Sequence, residues 1–278
     1  MLGIVLTVPA SEADLAADAL WSLGVLAVEE RHVEAGTEDH LVELWTSLGD
    51  DPDAVLRAAE AFPKRWWWRT VELDPSVADT WRAHAKPSWI ERDLVVVPAW
   101  VPFDAPDEVT VVRIEPGSTF GLGDHPSTIL TVRALRTALF PGASVLDVGC
   151  GSGILAVTAC VLGAGRVEAI DISPASIATT TDNASRNGVG GRITVSTTPL
   201  SELASGEDAQ FDIVLANILA PALVAMAEDL RRVVAPGGVL IVSGILADRH
   251  DHVLGALAPL RVVAEERREG WVALTLRW

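Results

Sequence analysis

The stretch Val145-Leu-Asp-Val-Gly-Cys-Gly-Ser-Gly-Ile-Leu-Ala constrains this 278-residue chain more than any other. An apolar β-type run ends in three alternating glycines and passes directly into a helical pattern. Glycine reaches positive φ freely and has no Cβ to hold a ligand away from the backbone. Gly149, Gly151 and Gly153 therefore read as a cradle closed by a helix N-terminus. A dinucleotide-binding turn would read G-x-G-x-x-G, with its third glycine at 154, where Ile154 stands. The shorter G-x-G-x-G spacing suits a ligand that has no pyrophosphate. A tight strand-to-helix turn with no ligand would use the same glycines, so the flanking sequence has to choose.

Around this loop, strands and helices alternate from Val109 onward. Strands are expected at 109–114, 143–148, 166–171, 192–197, 211–216, 238–243, 260–267 and 271–277. Helices are expected at 126–139, 152–162, 174–187, 219–234 and 247–257. Such alternation reads as an open, mostly parallel sheet with helices on both faces. Asp171 ends the strand after the glycine loop, where a carboxylate can accept hydrogen bonds from both hydroxyls of a ribose. Phe211-Asp-Ile-Val-Leu-Ala-Asn is a further strand that closes on Asn217, at the crevice end of the sheet. Its amide carries both a donor and an acceptor, which suits holding an amine.

Ahead of this lies a different composition. Eight of the ten tryptophans fall within the first 100 residues, and residues 1–74 carry ten of the seventeen net negative charges. Strands at 3–8, 25–30, 40–47 and 66–73, with helices at 11–23 and 51–61, give the order β-α-β-β-α-β of the ferredoxin-like unit. Domains are thus expected at 1–74 and 109–278, with 75–108 as a Pro- and Trp-rich connector holding a short helix at 79–85 and a strand at 94–97. The triple Trp66-Trp67-Trp68 cannot point to one face of a strand, so at least one ring is expected at the surface.

Several functions are disfavoured by the arithmetic. A chain of net charge −17 has no footprint for gripping phosphate backbones, so direct nucleic-acid binding is not expected. No run of 18 apolar residues marks a membrane helix, and the N-terminus lacks the basic start of a signal peptide; a cytoplasmic protein is expected. Cys150 and Cys160 are too few for a disulfide framework or a cysteine zinc site, and no metal is expected. His250 and His252 read as a solvated helix face.

The glycine loop resembles motif I of the class I S-adenosylmethionine (SAM) methyltransferases, and Pro236-Gly-Gly-Val-Leu-Ile-Val-Ser-Gly resembles the turn and fifth strand of the same enzymes. Three more segments are narrower. Phe120-Gly-Leu-Gly-Asp-His-Pro-Ser-Thr, Asn217-Ile-Leu and Ser243-Gly-Ile-Leu resemble the F-G-T-G-T-H-P-T-T, N-I-L and S-G-I-L segments of the ribosomal protein L11 methyltransferases of the PrmA type. Leu122 and Asp124 depart from that pattern. The resemblance implies a Rossmann-like class I methyltransferase sheet, mostly parallel with an antiparallel C-terminal strand, behind a small α+β ferredoxin-like domain.

It also implies SAM as methyl donor, leaving as S-adenosylhomocysteine, with contacts from Thr128, Gly149, Gly151, Asp171, Ile172 and Asn217 and from the Cys150 backbone. Thr128 would offer its hydroxyl and helix N-terminal amides to the methionine carboxylate, though a plain cap threonine would look the same. Phe120 would cover the donor or anchor its own loop. Asn217 and the Ile218 carbonyl would aim the acceptor amine. His125 would orient Asn217 or pack the loop. Asp147 is expected to order the glycine turn. The implied substrate is ribosomal protein L11, methylated on lysine and N-terminal amines. The charge of residues 1–74 leads to the separate expectation that this stretch docks the basic substrate, and a monomer is expected. Weighed against this are a related SAM enzyme for another protein lysine or a small amine, an NAD-linked oxidoreductase, and a silent SAM-binding module. The glycine spacing and Asn217-Ile-Leu disfavour the oxidoreductase, and an intact Asn217 disfavours the silent module.

Overall fold

The computed structural model describes residues 2–21, 23, 25, 28–32, 41–48, 52–60, 62–72, 82, 85–117, 119, 121–206 and 209–278. The chain divides into two units, Met1–Ala85 and Lys86–Trp278.

In the first unit, β1 (Leu2–Pro9), α1 (Ala13–Trp21), β2 (Val28–His32), β3 (Leu41–Ser47), α2 (Pro52–Ala59) and β4 (Trp67–Glu72) follow one another. The strands form an antiparallel sheet in the order β2-β3-β1-β4. This is the expected ferredoxin-like arrangement. Period-2 patterning builds it: Ile4, Leu6 and Val8 of β1 lie on the same face as Val42 and Leu44 of β3. Ala13, Ala16 and Leu20 of α1, with Val55 and Ala59 of α2, close that face at helical spacing. The tryptophan triple splits as expected: Trp66 is buried and donates to Glu12 Oε2 at 2.6 Å, whereas Trp67 is 68% exposed. On the other face of the sheet, the Arg31 and Arg69 guanidinium groups stand over the Trp45 ring at 4.1 and 5.1 Å.

The second unit opens with a three-stranded sheet, β5 (Ser88–Glu91), β6 (Leu94–Pro98) and β7 (Thr110–Ile114). Residues 86–108, read from sequence as connector, therefore supply two strands here. β5 was not anticipated, because four residues between Pro87 and the Arg92-Asp93 turn carry too short a pattern to register. The helix expected at 79–85 lies mostly outside the described residues. α3 (Pro126–Ala138) is clamped to this sheet through Arg133, which donates to the Ile90 carbonyl, and Arg136, which holds Asp93 in a two-pronged pair at 2.6 Å.

The main sheet comprises β8 (Ser144–Val148), β9 (Arg166–Ile170), β10 (Ile193–Ser196), β11 (Phe211–Asn217), β12 (Val234–Leu246), β13 (Arg261–Arg268) and β14 (Trp271–Arg277). Its order is β10-β9-β8-β11-β12-β14-β13. β8 to β12 run parallel; β14 is antiparallel to both β12 and β13. This is the mostly parallel sheet with an antiparallel end that the resemblance implies. Its central strands are buried on both faces. Val145, Ile213 and Leu215 pack with α3, α4 (Ile154–Val161) and α5 (Pro174–Arg186). Leu146, Val148, Val214 and Ala216 pack on the other side with α6 (Leu200–Leu203), α7 (Ala220–Ala225), α8 (Ala227–Arg232) and α9 (Asp251–Leu257). Burying each such Val, Leu or Ile side chain contributes about 1.5–3 kcal/mol of transfer free energy.

Two expectations need correction. The single helix at 219–234 is two short ones that meet at Met226; both still turn Leu223, Ala227 and Leu230 inward at i, i+4, i+7. The strand at 238–243 runs from Val234 to Leu246, because a register shift carries Pro236 and Gly237 within the pairing with β11.

Candidate functional site

Most of the residues singled out from sequence stand where β8, β9 and β11 end, on the same side of the parallel sheet. The glycine loop follows β8. The amides of Gly149 and Cys150 both donate to the Ile170 carbonyl, at 2.8 and 3.1 Å, so the chain turns over the end of β9. All three glycines have positive φ, at +75°, +54° and +77°. Two of them are fixed by close neighbours as well. A Cβ on Gly153 would lie 2.5 Å from Thr180 Cγ2 of α5, and one on Gly149 would lie 2.5 Å from Ile218 Cγ2. Gly153 is the N-cap of α4 and has no side chain to cap it. Asp147 does that work from β8: its Oδ2 accepts from the Ala156 amide at 3.0 Å. This is the turn-ordering role expected of Asp147.

Asp147 is wholly buried, and among the described residues its Oδ1 has no hydrogen-bond partner. Burial pushes its carboxyl up to about 7; the Ala156 amide pulls against that, and the nearby Asp171 charge adds to it. Burial also pushes the Cys150 thiol well above its usual range. Its Sγ lies 3.4 Å from Thr180 Oγ1, and its amide holds the loop to the Ile170 carbonyl.

Asp171 follows β9 and spans two segments. Oδ2 accepts from the Gly151 amide and Oδ1 from the Ser173 amide, both at 2.9 Å. Each carboxylate oxygen keeps a further lone pair. The next residue, Ile172, is 95% exposed. A bare aliphatic side chain beside a carboxylate at a strand end is the pairing that a ribose and its base would use.

Asn217 is the last residue of β11, and its Nδ2 donates to Thr128 Oγ1 at 3.3 Å. Thr128 is buried in the first turn of α3. The cap of that helix is His125, not Thr128: the His125 ring accepts from the Ser127 amide at 3.3 Å and meets Ser127 Oγ at 2.7 Å. The same ring packs edge-on against Trp271, 4.7 Å between centroids. His125 thus packs the loop. After Asn217, Ile218 turns its side chain to Gly149 and its carbonyl to Gly244, where a Cβ would lie 2.6 Å from the carbonyl oxygen. Phe120 lies outside the described residues.

The structure brings Gly151 to Asp171, Asn217 to Thr128, and Ile218 to Gly149. Sequence reading missed Ser152, Thr180 and Asn183, which are buried and bonded to this loop and its neighbours. Their signal was a stripe of small polar residues, Ser176, Thr180, Asn183 and Asn187, where an amphipathic helix would place apolar ones.

Comparison with known proteins agrees with this geometry. The family model for "Ribosomal protein L11 methyltransferase (PrmA)" matches residues 63–278. A ribosomal protein L11 methyltransferase from Geobacter metallireducens is 46% identical over 239 residues, covering 85% of this chain and 76% of the relative. That of Geobacter sulfurreducens is 38% identical, covering 97% and 95%. A crystal structure of ribosomal protein L11 methylase from Lactobacillus delbrueckii subsp. bulgaricus superposes with a TM-score of 0.64 at 33% identity, over 69% of this chain and 98% of that one. Matches of this extent and identity show that the chain belongs to the ribosomal protein L11 methyltransferase (PrmA) family.

Proposed function

We propose that this chain binds SAM where β8, β9 and β11 end and methylates amines of ribosomal protein L11, which its N-terminal unit docks. The observation that carries this reading is the Asn217–Thr128 bond. With its NH2 committed to Thr128, the amide offers Oδ1 as an acceptor next to a glycine cradle. The residues fit the donor. Gly149 and Gly151 open the backbone to it, Asp171 has lone pairs for its ribose, Ile172 offers an apolar cover for its base, and the α3 N-terminus with Thr128 suits its carboxylate. Cys150 contributes backbone only.

When bound, SAM supplies a methyl carbon already activated by the sulfonium, so the chain's task is positioning. A free lysine amine has a pKa near 10.4 and must arrive neutral to attack. Asn217 Oδ1 and the Ile218 carbonyl accept from its N–H groups and direct its lone pair at the methyl carbon; a desolvated site lowers the amine pKa in the same direction. Gly244 and Gly149 hold Ile218 in place for this.

Docking follows from charge. Ribosomal proteins are basic, and residues 1–74 hold −10 of the −17. Opposed fields speed encounter and bias orientation. We propose the enzyme as a cytoplasmic monomer that makes no direct contact with nucleic acid. Among the described residues, no helix is long and apolar enough to cross a membrane. The test is incubation with methyl-labelled SAM and purified L11, followed by peptide mass spectrometry. Label on lysine and N-terminal amines is expected. A protein that binds SAM in calorimetry but labels no L11 would overturn the substrate assignment; one that binds no SAM would overturn the reading altogether.

A further inference from the structure

Ser152 stands between the second and third glycines and is wholly buried. Its hydroxyl donates to the Gly121 carbonyl at 2.6 Å, and its own carbonyl accepts from Asn183 Nδ2 at 2.9 Å. Asn183, also wholly buried, uses the same amide to grip Glu115. Nδ2 donates to the Glu115 carbonyl at 2.8 Å, and Oδ1 accepts from the Glu115 amide at 2.9 Å. One turn later, Asn187 grips Arg113 in the same way, at 2.8 and 2.7 Å. The two amides, i and i+4 on α5, line the outer edge of β7 as a neighbouring strand would. They differ in their other bonds, and Asn183 Oδ1 also accepts from Arg186 Nη1. Asn183 reaches on to the glycine loop through Ser152, whereas the remaining bond of Asn187 returns to its own helix, at the Asn183 carbonyl.

Gly121 and Gly123 press on the same corner. A Cβ on Gly121 would lie 2.8 Å from Ser152 Oγ, and one on Gly123 would lie 2.8 Å from Ile154 Cδ1. Two residues beyond Gly123, His125 caps α3, whose first turn delivers Thr128 to Asn217. One hydroxyl therefore joins the loop that carries Gly149 and Gly151 to the segment that carries Thr128.

We propose that Ser152, held from behind by Asn183, is a positioning residue for methyl transfer: it sets the spacing between the glycine loop and the segment from Gly121 to Thr128. The proposal rests on the SAM-binding reading above. Alanine at 152 would leave the buried Gly121 carbonyl without its donor, and the segment would open more often.

The experiment compares full-length wild type, Ser152→Ala and Asn187→Ala by hydrogen exchange at the amides of Gly121 to His125, by calorimetric titration with SAM, and by melting temperature. Ser152→Ala is expected to speed exchange there about fivefold and to weaken SAM binding about fivefold, the worth of one hydrogen bond. Asn187→Ala removes an edge clamp of similar quality that does not touch the glycine loop. It is expected to lower the melting temperature while leaving exchange and affinity within about twofold of wild type. Ser152→Cys, which keeps a weaker donor in place, is expected between wild type and alanine on both readouts. The proposal falls if Ser152→Ala leaves exchange and affinity unchanged, or if Asn187→Ala alters both as much as Ser152→Ala does. Failure of wild type to bind SAM would instead refute the functional reading; the exchange comparison would still test the Ser152 tie.

Discussion

Replacing Asp147 with asparagine should make the protein more stable above pH 7 and change little near pH 4. Asp147 is fully buried between β8 and the glycine loop, and burial pushes its carboxyl up to about 7. In the unfolded chain the same group returns to about 3.9. Between these values the folded state holds a proton that the unfolded state has released. Stability from this group is thus fully present below about pH 4, declines as pH rises, and levels off above about 7. At about 1.4 kcal/mol per pH unit, the fall across that window is on the order of 4 kcal/mol. Asparagine keeps an oxygen for the Ala156 amide at the start of α4 and carries no titrating group. The gap between variant and wild type should therefore open from about pH 4 to 7 and then stay constant. Urea denaturation of both proteins at pH 4, 5, 6, 7 and 8 measures it. Parallel stability curves over that range would refute both the buried-carboxylate argument and its sign.

Removing Asp171 leaves the Gly151 and Ser173 amides without their acceptor, so Asp171→Ala should weaken SAM binding at least about tenfold in calorimetry; an unchanged affinity would remove Asp171 from the ribose. Gly244→Ala would bring a Cβ to 2.6 Å from the Ile218 oxygen at a residue whose φ is +79°. It should slow methylation of L11 by about tenfold or more while SAM affinity stays within about threefold, and an equal loss of both would show that Ile218 acts on the donor side. The fragment Lys86–Trp278 contains its own buried clusters. It should bind SAM like the full chain but fail to label intact L11, and undiminished labelling would leave the N-terminal unit without a docking role.

Long-period features of this fold were legible in the sequence, and features that depend on a distant partner were not. Alternating apolar strands and helices from Val109 onward gave the parallel sheet, because its central strands are buried on both faces and so read as continuous runs. Four strands and two helices ahead of them gave the ferredoxin-like unit. Asp171, Asn217 and the glycines were readable because their positions at strand ends follow from topology. Ser152 and Asn183 were not, because a serine in a glycine loop and an asparagine in a helix both look like solvent-facing residues until their partners at Gly121 and Glu115 are known. The break at Met226 was hidden for a related reason: Leu223, Ala227 and Leu230 keep one helical period straight through it.

The sequence leaves two readings of the glycine loop, a ligand cradle and a tight turn, and the packing around each glycine is compatible with both. Each glycine answers to a different partner. Gly153 is bare because Thr180 of α5 occupies the space of its Cβ, which is a packing requirement. Gly151 gives its amide to Asp171, which ties the loop to the carboxylate assigned to the ribose. Gly149 is bare because Ile218 Cγ2 stands against it, and the same Ile218 meets Gly244 through its carbonyl. Three segments that look independent in the sequence, Gly149-Cys-Gly, Asn217-Ile-Leu and Ser243-Gly-Ile-Leu, are therefore one packing unit around Ile218. A larger residue at 149 or 244 would displace Ile218, whose carbonyl, on the reading proposed above, faces the acceptor amine. Ile218 is thus held by Gly149 at its side chain and by Gly244 at its backbone, and a change in any of the three should be felt in the other two.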